Sequence, residues 1–77
     1  MAGEKEFYSS KFIEILKARG GKANYNDIHG TLLDEAYKMF KRFRFDIESK
    51  VIEDLTKKGV VKREAEVFTL SKEYTHY

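Results

Sequence analysis

"VIEDLTKKGVVKREAEVFTLSKE", residues 51–73, reads as a helix end, a sharp stop and a hairpin. Val51, Ile52 and Leu55 continue an apolar stripe that begins at Ile47, with charged residues between them. Lys57-Lys58 before Gly59 is a helix terminus. Cations suit the negative end, and glycine takes the left-handed position after it without a steric penalty. Val60-Val61 and Val67-Phe68-Thr69-Leu70 flank a polar stretch, Lys62 to Glu66, which predicts a β-hairpin over 60–70. The connector has no Asn-Gly or Asp-Gly pair. "SKEYTHY", residues 71–77, reads as a tail.

Working back toward the N-terminus, Asp46 is a good cap for this helix, which predicts a helix over 47–58. Thr31, three residues before Asp34, resembles a capping box and starts a second helix over 32–43, with an earlier start near Asp27 open. Leu33, Ala36, Phe40, Phe43, Ile47, Val51 and Leu55 also fall on one stripe, so a single helix over 33–58 is the competing reading. Tyr8, Phe12, Ile15 and Leu16 predict a first helix over 4–19, ended by Gly20-Gly21. "KANYNDIHG", residues 22–30, is rich in turn formers and reads as a brief strand leading into a helical turn.

The bulk composition limits the options. The chain has 77 residues and no cysteine, so it is one small domain without a disulfide or a thiolate metal site. A domain of this size buries roughly 60% of its unfolded surface. No apolar run approaches the roughly 20 residues of a membrane span, and "MAGEKEF" is not a signal peptide. The expected location is therefore cytoplasmic. The chain lacks Gln, has two Asn and is rich in Lys and Glu, a balance compatible with a thermophilic archaeal source. Net charge is +2, but residues 37–63 carry nine Lys/Arg against four Asp/Glu, a basic block between acidic flanks. Its centre is "KMFKRFRF", residues 38–45. Such asymmetry points to an anionic partner.

Helix, short strand, two helices and a hairpin resemble the winged helix-turn-helix family. The resemblance is carried by residues 51–73: an amphipathic helix with Leu55, the Lys-Lys-Gly exit, two aliphatics, charged residues, then Phe68-Thr69-Leu70-Ser71. It implies an α+β, mostly helical fold: a three-helix winged helix-turn-helix with a C-terminal β-hairpin wing. It also implies binding of duplex DNA, with helix 47–58 in the major groove and the hairpin on the flanking backbone. The expectation is a transcriptional or chromatin-type regulator, nucleoid-associated, binding as a homodimer through helix 1. Lys38, Lys41, Arg42, Arg44, Lys50, Lys62 and Arg63 would meet phosphates, and Ser49 and Lys50 base edges.

Two features depart from that pattern. The span from Asn24 to Gly59 is longer than a compact helix-turn-helix. The helix 47–58 is also not basic: Glu48, Ser49, Lys50, Glu53 and Asp54 are read as its solvent-facing positions, and acids facing phosphates lower affinity. These acids, with Phe7, Phe45 and Tyr77, motivate the alternative of a protein-interaction module, a small subunit of a larger assembly. Phe40 and Phe43 read as core. His29 and His76 lie far apart and form no metal-ligand pattern, and Ser9-Ser10 has no adjacent base. No phosphate-binding glycine loop is present. Neither a cofactor nor an enzymatic activity is expected.

Overall fold

Two glycine exits set the chain's path. In the computed structural model, which describes residues 3–72, Gly20 N–H donates to the Lys17 carbonyl and Gly21 N–H to that of Leu16. Gly59 and Val60 repeat the arrangement on Thr56 and Leu55. Both are six-residue Schellman closures, with φ of 79° at Gly20 and 75° at Gly59. The second places Val60 against Leu55, both buried.

Between these stops the elements run α1 (Glu4–Ala18), β1 (Lys22–Asn24), α2 (Tyr25–Phe40), α3 (Phe45–Lys57), β2 (Val61–Glu64) and β3 (Val67–Leu70). The antiparallel sheet has the order β1-β3-β2, with Ala23 opposite Phe68 and Val61 opposite Leu70. This is a three-helix winged helix with a hairpin wing. Pleat alternation turns Phe68 and Leu70 into the core and leaves Val67 and Thr69 on the outer face. Tyr8, Phe12 and Leu16 of α1, Ile28, Leu32 and Ala36 of α2, and Val51 and Leu55 of α3 close over them. The rings of Phe12 and Phe68 meet edge to face, 5.3 Å between centroids. Each such fully buried apolar side chain stabilises the fold by about 1.5–3 kcal/mol.

The element boundaries differ from the sequence reading at informative places. Helix α2 starts at Tyr25, seven residues before 32 and two before the alternative near Asp27, so Thr31 lies mid-helix and forms no capping box. The turn-forming composition of residues 24–27 is overridden because Ile28 is fully buried and the first turn bonds to α3. The helix then stops at Phe40 rather than 43, because Lys41 takes the left-handed conformation with φ 62°. That residue also rules out one helix over 33–58. Helix α3 starts at Phe45, with extended Arg44 as its cap. Asp46 sits in the first turn and pairs with Arg44 instead of capping. Val60 closes the helix and does not open the strand. The wing turn is Ala65-Glu66, and Ala65 supplies a φ of 55° that glycine or asparagine would ordinarily supply. Within the tail read over 71–77, Tyr74, His76 and Tyr77 lie outside the described residues. Among the described residues, no helix is long and apolar enough to cross a membrane.

Candidate interaction surface

Helix α2 places Tyr25 and His29 one turn apart on the same face, where their rings stack 5.2 Å apart. Helix α3 crosses there and directs Glu48 at both. The Tyr25 hydroxyl donates to Glu48 Oε1 at 2.7 Å, and His29 Nδ1 lies 2.5 Å from Oε2. Glu48 is 2% exposed, so the carboxylate read as solvent-facing is in fact a core acid. A buried carboxylate needs donors on both oxygens, and the two α2 side chains provide them. Burial pushes the Tyr25 phenol up to about 12, helped by its bond to Glu48 and by that group's charge. Arg63 acts in the opposite direction.

Above this cluster lies an aromatic corner. Phe43 stacks on Tyr8, 5.2 Å between centroids, and meets the His29 ring at right angles. Phe45, the first residue of α3, stands 4.9 Å from Phe43 and 5.6 Å from His29, yet remains 62% exposed. Phe40 packs on Phe7 and Tyr8, as expected of a core residue. Tyr37 and Met39 of α2 are also exposed. Helix α1, expected to carry a dimer interface, places Tyr8 and Phe12 inside the chain's own core.

Most of the cations assigned to phosphates have a carboxylate close by. Lys38 lies 3.5 Å from Asp34 and 3.8 Å from Glu35. Arg42 binds Glu4 of α1. Arg44 grips Asp46 through Nε and a terminal nitrogen, at 3.2 and 2.7 Å, and this holds the Asp46 carboxyl below its usual range. Lys50 lies 3.7 Å from Glu53, and Lys62 3.6 Å from Glu64. Arg63 donates to the Ala65 carbonyl and lies over the Phe68 ring. Lys41 is exposed at the α2 exit, and Ser49 is exposed on α3. Five of these seven cations thus lie beside a carboxylate, and an ion pair lowers what each can offer a phosphate. Lys38 to Arg44 belong to the α2–α3 corner, whereas Lys62 and Arg63 belong to the wing.

Between α3 and the wing runs an open groove of about 710 Å³, lined by Tyr25, Glu48, Ile52, Thr56, Lys57 and Arg63 among others. Sequence reasoning missed both the groove and the acid in its floor. The available signal was that Glu48 lies three, four and seven residues before Val51, Ile52 and Leu55, on their stripe.

No protein-family model matches the chain, and no curated protein matches it. Among solved structures it is similar to a chain of "A Dual E3 Mechanism for Rub1 Ligation to Cdc53: Dcn1(P)-Cdc53(WHB)", a complex containing the winged-helix B domain of Cdc53. The TM-score is 0.76 at 16% identity, covering 87% of this chain and 78% of that one. At this identity the likeness establishes the winged-helix fold.

Proposed function

We propose that this winged helix is a protein-interaction module, a small subunit of a larger assembly. The carrying observation is the exposed ring of Phe45 at the first residue of α3. A major-groove reader presents polar or cationic side chains from the start of that helix. Here an aromatic stands there, and its neighbours Arg44 and Asp46 pair with each other. Glu48, one turn on, faces inward, and Glu53 and Asp54 follow. Exposed aromatics are favoured as interface anchors. The fold neighbour, solved as Dcn1 with Cdc53(WHB), supports a protein partner for this kind of domain.

The second reading is duplex DNA, bound by a homodimer through Lys38, Lys41, Arg42, Arg44, Ser49, Lys50, Lys62 and Arg63. The excess of cations over residues 37–63 favours it, as do Lys41, Lys57 and Lys58, for which no carboxylate among the described residues lies within ion-pair distance. Titration of random-sequence duplex across a salt series separates the two. The interaction reading expects weak binding that is unchanged by Arg42→Glu/Arg44→Glu. Binding on the order of micromolar that falls steeply with salt and is lost in the double variant would replace it with the DNA reading.

A further inference from the structure

Among the described residues, strand β2 is an open edge: it pairs with β3 on one side only, and residues 61–64 make no backbone hydrogen bond outside that ladder. Ser71 N–H donates to the Val60 carbonyl, and antiparallel pairing alternates, so the amide groups of Val61 and Arg63 point outward. Grooves lie along this edge. One is the 710 Å³ groove against α3, and the other, about 580 Å³, is lined by Thr56, Gly59, Val61, Lys62, Thr69 and Leu70 among others. A strand added to such an edge alternates its side chains between two faces, which matches two flanking grooves.

We propose that the β2 edge docks an extended acidic segment of a partner protein. This rests on the protein-interaction reading and names the chemistry of the partner. Lys57 on α3 and Arg63 on β2 line the same groove, and among the described residues neither has a carboxylate within ion-pair distance. Ile52 lines the groove beside them, and so do Glu48 and Glu53. Glu48 is held by Tyr25 and His29, and Glu53 lies 3.7 Å from Lys50. That leaves Lys57 and Arg63 as the groove's charges without a counter-ion among the described residues. An acidic strand lying along β2 gives carboxylates to Lys57 and Arg63 and apolar side chains to Ile52. Its own backbone bonds Val61 and Arg63. A second copy of this chain fits poorly, because Lys62 and Arg63 would face the same cations. A phosphodiester strand fits less well, because it has no N–H for the outward carbonyls.

The test uses a labelled peptide of alternating Glu and Val, followed by amide chemical shifts on the full chain. The expected result is saturable binding that shifts the Val61 and Arg63 amides. Affinity should fall about tenfold or more in Lys57→Glu/Arg63→Glu, a surface variant whose folding the same spectra report. A peptide N-methylated at alternate residues should fail to bind, since strand addition needs those N–H groups. Binding that is indifferent to both changes, or shifts confined to another face, would overturn the proposal. So would an oligonucleotide of equal charge that shifts the same amides more tightly. If the peptide fails and the duplex titration is also negative, the edge site falls while the interaction reading stands.

Discussion

Oε2 of Glu48 and Nδ1 of His29, 19 residues apart in sequence, lie 2.5 Å apart and join the first turns of α2 and α3. With the Tyr25 hydroxyl on the other oxygen, the joint is polar but satisfied. Breaking it from one side leaves donors without their acceptor. Glu48→Ala is expected to cost about 2–3 kcal/mol, and Glu48→Gln, which keeps one acceptor oxygen, about 1. Replacing both sides, as Glu48→Leu/His29→Phe, should cost less than about 1 kcal/mol, because buried polar pairs exchanged for apolar ones are often neutral. Denaturant midpoints of these proteins, with the singles Glu48→Leu and His29→Phe that complete the cycle, check this. Strict additivity across the pair would count against the geometry.

The Tyr25 phenol gives a pH dependence of defined sign. Its pKa in the fold is raised to about 12 from an ordinary 10.0, so the folded state holds the proton more tightly. The resulting stability is fully present below pH 10 and is lost as pH rises toward 12. Tyr25→Phe removes this dependence. Alkaline unfolding curves of the two proteins should therefore converge with rising pH. The tyrosinate absorbance of the variant should lack a step near pH 12.

Ala65 holds a left-handed backbone at the wing tip with no glycine to ease it. Left-handed φ costs an L-residue about 1–2 kcal/mol, partly offset in the comparison by the greater freedom of an unfolded glycine. Ala65→Gly is thus expected to stabilise by up to about 1 kcal/mol, a rise in Tm of about 4–8 °C. Ala65→Val should lower Tm. A calorimetric scan of both variants is sufficient.

Phe43 and Phe45 are neighbours with opposite duties. Phe43 is half-buried on Tyr8, and Phe43→Ala should cost about 2–3 kcal/mol, below the range for a fully buried ring. Phe45 is largely exposed, and Phe45→Ala should change stability by less than about 1 kcal/mol. If Phe45 serves a partner, its removal should abolish assembly at full stability. Equal thermal losses in the two variants would mean that Phe45 is simply part of the fold.

The wing and the helix exits were legible because they rest on local chemistry. Gly20-Gly21 and Gly59 stop helices wherever they occur, and apolar runs on either side of residues 62–66 form a hairpin. The start of α2 was legible only in part: the alternative near Asp27 lies two residues from Tyr25, but nothing local chose it over Leu32. Asn24, Asn26, Asp27 and Gly30 favour turns locally, and the burial of Ile28, the Tyr25 amide on the Glu66 carbonyl and the contacts with Glu48 hold that segment helical. The site was hidden for the same reason. Glu48 looks like one more charge on an acidic helix until Tyr25 and His29 are placed opposite it. The basic block misled because sequence shows how many cations there are but not that Glu4, 38 residues away, is waiting for Arg42.

The backbone amide of Arg44 donates to the hydroxyl of Tyr8 at 2.9 Å, and the Tyr8 ring is fully buried. The short connection between α2 and α3 is therefore tethered to α1 and is not a hinge. The Arg44 amide is thereby held by a side chain of the core, and it should exchange with solvent more slowly than the amides of its loop neighbours. A partner gripping the neighbouring aromatic corner would therefore pull on an elbow fastened to α1, and part of its grip would be felt by the core through Tyr8.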